Sequence, residues 1–126
     1  MRDQPGNKHD EEGRPLAVAY IRVPAAGNPG MTEYVESRHQ EEQEMLVREA
    51  ARWDGTRIVK IFSDRARDDR PRHRDGFQTM REFMKKEGIT VCYMASPAVL
   101  ASDEDLVDYY RDRFGDYRPN LRFIEE

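Results

Sequence analysis

Cysteine is almost missing from this chain, with Cys92 the single one among 126 residues. A disulfide framework within the chain is therefore excluded, and the usage fits a reducing compartment. Long apolar runs are missing as well. None approaches the roughly 18 residues expected of a membrane-spanning helix, and the charged amino terminus has no apolar signal core. There is no surplus of positive charge: 21 Lys and Arg stand against 25 Asp and Glu, a formal charge of −4. That balance argues against a strongly basic nucleic-acid binder, though it leaves room for a local basic patch. No glycine-rich phosphate loop and no Ser/His/Asp set can be found, and His39, His73 and Asp64 have no metal-ligand spacing. The expectation is one soluble, cytoplasmic domain with no membrane contact, no cofactor and no metal. Hydrophobic and charged residues each make up 37%, so its core is modest and its surface heavily ionised.

What the chain does have is one nearly continuous apolar stretch, Leu16 to Val23. Seven of its eight residues are apolar, and Pro15 and Pro24 bound it. Such a run between turn signals predicts a strand buried on both faces, as in a parallel sheet. Its one charged residue, Arg22, falls near the carboxyl end, where open α/β sheets gather their ligands.

Before this strand, Met1 to Arg14 holds Pro, Gly, Asn, Gln and mixed charges, with Met1 its only apolar residue. That composition predicts a flexible tail, leaving residues 15–126 as the domain. After it, Pro24 to Gly30 is dense with breakers and reads as a loop. From about Thr32 to Trp53 the period changes: Val35, His39, Glu42, Leu46, Ala50 and Trp53 recur at helical steps, which places His39 and Gln43 on the inward side. Asp54-Gly55 ends that helix. Arg57 to Phe62 predicts a second strand. Ser63 to Asp75, with five Arg and four Asp, predicts a surface loop or one ordered around an anion. Phe77, Met80, Phe83 and Met84 mark a helix over Gly76 to Glu87, closed by Gly88. Ile89 to Met94 predicts a third strand, in which Cys92 is a buried small hydrophobe. A capping box at Ser102 to Asp105 opens a third helix, and Leu121 to Ile124 forms a last strand. The alternation implies right-handed crossovers and a mostly parallel four-stranded sheet with helices on both faces.

Several stretches in this order resemble the catalytic domain of serine recombinases, the resolvase and invertase family. Ala19-Tyr-Ile-Arg-Val23 is similar to the Tyr-x-Arg-Val-Ser signature that ends the family's first strand. The family's helix motif, a serine followed four residues later by glutamine, falls on His39 and Gln43. Phe62-Ser-Asp64 resembles a strand ending in aspartate, and Arg74-Asp-Gly76-Phe77 resembles the Arg-x-Gly-Leu that starts the next helix. Together the matches span Leu16 to Glu126.

The resemblance also locates what is missing. Pro24 stands at the nucleophile position and has no hydroxyl with which to attack a phosphodiester. The family's Leu-Asp-Arg-Leu-x-Arg cluster, whose arginines neutralise the scissile phosphate, is replaced by Ala95-Ser-Pro-Ala-Val-Leu-Ala101. The long helix and DNA-binding region that follow in the family have no counterpart before Glu126. No catalytic residue is therefore assigned. Arg22, Gln43, Asp64 and Arg74 remain as an anion-binding remnant, with an Arg22–Asp64 ion pair and backbone-satisfied Gln43 and His39 as the structural alternatives. Three functions follow. The first is an inactive recombinase-like domain acting by binding a protein partner or regulating a DNA transaction. The second is weak nucleic-acid binding through Arg22 and the Arg67–Arg74 run, with His73. The third is an enzyme re-using the pocket for a small phosphorylated ligand. Ser96 and Ser102 are poor replacement nucleophiles, since Ser102 is a helix cap and Ser96 has no evident base beside it. Tyr109 or Tyr110 can belong either to the core or to a partner surface.

Overall fold

At the centre of the sheet lies β1 (Leu16–Pro24), with Ala17, Val18, Ala19, Tyr20 and Ile21 fully buried. The computed structural model of the chain describes residues 8–24, 33–66, 75–96, 112 and 120–124. Within them β1 is followed by α1 (Glu33–Asp54), β2 (Arg57–Ala66), α2 (Asp75–Glu87), β3 (Val91–Met94) and β4 (Asn120–Phe123). The strand order is β2-β1-β3-β4 and all three pairings are parallel. The chain leaves β1 toward β2 and later returns on the other side of β1 to β3. Right-handed crossovers in opposite directions put their helices on opposite faces, and the core divides accordingly. Val18, Tyr20, Phe62 and Cys92 pack with Phe77, Met80 and Met84 of α2. Ala17, Ala19 and Tyr93 pack with Val47 and Ala51 of α1.

β2 needs an irregularity to serve both faces. Ala17 pairs with Ile58 but Val18 pairs with Lys60, so Val59 is an extra residue that the ladder skips. The bulge resets the alternation, which lets Ile58 and Ile61 both reach the α1 side. Lys60 and Phe62 take the other face, where the Lys60 ammonium lies 5.2 Å from the Phe62 ring centroid and 5.3 Å from that of Phe83.

Helices α1 and α2 end as their glycines predict. Gly55 and Gly88 have φ of 71° and 70°, a left-handed conformation that other residues adopt only with strain. At α1 the Thr56 N–H reaches the Ala51 carbonyl at 2.8 Å and the Gly55 N–H reaches Arg52 at 3.1 Å, the paired closure of a Schellman cap. At α2 the Ile89 N–H reaches the Met84 carbonyl at 2.9 Å, and both side chains sit in the core.

Three expectations change. The second strand runs on through Ser63, Asp64, Arg65 and Ala66, residues whose composition suggested loop. Hydrogen bonding to the full length of β1 offsets their poor strand propensity. Residues 8–14, counted with the tail, form a built turn: Asp10 accepts the N–H groups of Glu12 and Arg14 at 2.9 and 2.8 Å and the Arg14 Nε–H at 2.7 Å. Enclosure alone would raise the Asp10 carboxyl, but its bonds from Arg14 and Glu12 outweigh that and hold it below the usual range. The Leu16 N–H then bonds back to the Lys8 carbonyl at 2.8 Å. Finally, α1 is rotated from the expected phase. Val47 and Ala51 are buried, whereas His39, Glu42 and Trp53 are exposed. Alanines line both surfaces where α1 meets β1, and small facing side chains leave no room for an indole. The expected third helix lies, apart from Asp112, outside the described residues, as do the loop after Pro24 and the stretch from Pro97 to Ala101.

α1 is also tied to the sheet at its far end. The Tyr93 hydroxyl donates to Asp54 Oδ2 at 2.6 Å, and Arg122 Nε on β4 approaches the same oxygen at 3.4 Å. An aspartate is unfavourable at a helix carboxyl end, and these two groups offset that. Burial, together with the Asp54 carboxylate, pushes the Tyr93 hydroxyl up to about 12. A proton held more tightly in the folded state stabilises fully below the unfolded value near 10 and ceases to do so as pH rises through about 12. Urea midpoints measured across that alkaline window should therefore fall, and Tyr93→Phe should make the fall less steep.

Candidate functional site

In a sheet of this order the reversal between β1 and β3 opens a crevice at the carboxyl ends of the strands, where such folds place ligands. Its floor follows from strand lengths. β1 pairs with β2 as far as Pro24↔Ala66, but with β3 only from Ala17↔Val91 to Ala19↔Tyr93. Among the described residues, the last of β1 therefore have no strand neighbour on the β3 side, and peptide groups left there need other partners.

Gln43 supplies one. From α1 its Nε2 donates to the Arg22 carbonyl at 3.0 Å, and its Oε1 accepts the Arg22 N–H at 3.3 Å. A side-chain amide carries both a donor and an acceptor, so it satisfies the peptide as an adjacent strand would. Of the two accounts of Gln43, backbone satisfaction is the one observed. His39 is exposed, a correction to its inward placement.

Asp64 anchors the other side. It lies across the ladder from Arg22, and both its oxygens are engaged. Oδ1 accepts the Gly76 N–H at 2.8 Å; Oδ2 accepts the Phe77 N–H at 2.9 Å and the Tyr20 hydroxyl at 2.7 Å. Among the described residues these, rather than the Arg22 guanidinium, are the partners of the carboxylate. Asp64 is therefore a cap delivered from a neighbouring strand: it satisfies two of the open N–H groups at the start of α2 and places negative charge at the positive end of the helix. Tyr20 adds a strut from β1, with its ring 5.5 Å from that of Phe77 in an edge-to-face contact.

Gly76 makes this docking possible. A Cβ there would press into the Ser63 carbonyl group and lie 3.1 Å from Asp64 Oδ1. The first turn of α2 thus meets the β2 backbone directly, and no larger residue fits without moving the strand or the helix.

Of the four remnant residues, the fold brings Arg22, Gln43 and Asp64 to one end of the sheet, and Arg74 lies outside the described residues. Arg22 is half-buried. Strand alternation gives it the face of Val18 and Tyr20, which is the α2 side. Sequence reasoning missed two residues, Tyr20 as the Asp64 partner and Gly76 as the docking point. Tyr20 had a signal in its two-residue spacing from Arg22, which puts both on one face. Cys92 is buried beside Met80 Sδ at 3.7 Å and burial pushes its thiol up, so it is no nucleophile.

If Asp64 acts as a cap, Asp64→Ala should cost about 1–2 kcal/mol in urea unfolding, leaving the sheet intact by circular dichroism. Gly76→Ala should cost about 1–3 kcal/mol through overpacking. An Asp64→Ala protein as stable as the parent would refute the capping role.

No known family model matches the chain, and no curated protein matches it in sequence. Solved structures do. The C-terminal catalytic domain of ISC1926 TnpA, an IS607-like serine recombinase, superposes with a TM-score of 0.67 at 16% identity, covering 87% of this chain and 70% of that one. The N-terminal catalytic domain of TP901-1 integrase superposes with a TM-score of 0.65 at 14% identity, covering 86% and 76%. Parallel sheet, opposed helices and strand order together give this chain the fold of serine recombinase catalytic domains.

Proposed function

We propose that this chain is a recombinase-like domain without strand-exchange chemistry, acting by binding a protein partner and so regulating a DNA transaction. The observation that carries this is Pro24. It is the final residue of the central strand and is held in register with Ala66, at the position where the resembled signature has its serine. Proline offers no hydroxyl, so no phosphoseryl–DNA bond can form there. The stretch Ala95 to Ala101 carries no arginine to neutralise a phosphate in the transition state. Loss of a nucleophile and its electrostatic partners together removes the step rather than slowing it slightly.

The remaining polar groups support the same reading. Gln43 and Asp64 are used to hold the Arg22 peptide and the start of α2. A helix amino terminus is an anion site, but here a carboxylate of the chain already occupies it. Arg22 thus has a negative neighbour, which weakens the case for phosphate or a phosphorylated small molecule.

The purified protein should neither relax nor cleave supercoiled plasmid, and denaturing gels should show no covalent protein–DNA species. Pro24→Ser alone should not restore either, because the arginines are still missing. Cleavage that disappears on Ser96→Ala or Ser102→Ala would overturn the proposal. A gel shift at low salt, lost steeply as salt is added, would instead favour nucleic-acid binding.

A further inference from the structure

The outward face of α1 is the least expected surface of the fold. Trp53 is 90% exposed and Met45 62% exposed. An indole left almost wholly in water loses the burial that large apolar side chains ordinarily gain. On a helix of about 3.6 residues per turn, Glu41, Met45, Arg48, Glu49 and Arg52 share the side turned away from the packed residues Leu46, Val47, Ala50 and Ala51, with Glu42 and Trp53 on its flank. All seven of these outward residues are exposed.

Charge is unevenly placed on this face. Glu41 lies toward the amino end, and Arg48 and Arg52, with Glu49 between them, lie toward the carboxyl end. The ion pairs among the described residues include none of Glu41, Arg48, Glu49 and Arg52. Glu44, four residues before Arg48 and suitably placed to pair with it, instead accepts a hydrogen bond from Gln40 at 3.3 Å. Arg48 and Arg52 are like charges one turn apart, an arrangement that disfavours the isolated helix.

We propose that this face is a self-complementary docking surface, and that its occupant is α1 of a second copy of this chain running antiparallel. A two-fold axis midway between Glu41 and Arg52 sets Glu41 of each copy against Arg52 of the other. The two residues are about 16 Å apart along the helix. Met45 and Arg48 lie equally far from that axis, so each methionine packs on the aliphatic stem of the other copy's Arg48. Trp53 then covers the amino-terminal part of the second helix and leaves water. The interface is isologous, as a two-fold requires. One helix face is far smaller than the roughly 800 Å² per partner of a stable interface, so the dimer is weak and reversible. It does not depend on the loss of chemistry proposed above, since an active domain could carry the same face.

Trp53 is the only tryptophan and reports on its own burial. In the full-length chain, its emission should move to shorter wavelength across a hundredfold rise in protein concentration. Sedimentation equilibrium should show the monomer-to-dimer shift over the same range, weakening with added salt. Glu41→Arg and Arg52→Glu should each weaken association about tenfold or more, whereas a mixture of the two variants should associate as the parent does. Circular dichroism verifies that each variant is folded. The proposal fails if the chain stays monomeric with constant emission, or if Arg52→Glu and Trp53→Ser associate as well as the parent. It also fails if the emission responds to duplex DNA or anionic vesicles but not to protein concentration, because that assigns the face to a different occupant.

Discussion

The carboxylate of Asp64 joins three elements at one point and ties α2 to the two paired strands beneath it. It extends from β2, accepts from the hydroxyl of Tyr20 on β1, and holds the amides of Gly76 and Phe77 in the first turn of α2. With Gly76 allowing the helix to touch the strand backbone, this contact fixes where α2 begins. The position of α2 in turn places Phe77, Met80 and Met84 over Val18 and Tyr20. Apolar burial supplies the driving force, but it is not directional. The charge-assisted hydrogen bonds supply the register that burial lacks.

Gln43 plays the corresponding part on the opposite face. A central strand longer than one of its neighbours leaves peptide groups that cannot stay unpaired in a partly buried place. The Gln43 amide closes that gap, and in doing so links α1 to the end of β1. At the end of the sheet where related folds gather chemistry, polar residues here serve the scaffold. Pro24 and the arginine-free stretch after β3 agree with that use. The proposed loss of chemistry thus leaves a coherent structure, because Gln43 and Asp64, retained from the resembled pattern, are ones that the fold itself employs.

Much of the architecture was legible in sequence because its signals are local. The apolar run of β1, the helical spacing of Phe77, Met80 and Met84, and the capping glycines Gly55 and Gly88 each act within a few residues of chain. The phase of α1 was harder to see. A periodicity weighted by hydrophobic size favours Trp53 over Ala51, yet a helix packing on Ala17 and Ala19 needs small residues at the contact. The extent of β2 was hidden for a similar reason. Ser63 to Ala66 carry no strand signal, and only the length of β1 beside them supplies the partners that make them one.

The order of elements, the parallel sheet, the lack of a hydroxyl at position 24 and the absence of arginine from Ala95 to Ala101 are properties of the sequence, because they rest on composition and short spacing. The role of Asp64, the clamp of Gln43 on Arg22, the bulge at Val59 and the exposure of Trp53 were decided only in three dimensions. Each depends on residues distant in the chain reaching the same place, and no local pattern encodes which of many polar groups will be the one within hydrogen-bonding distance.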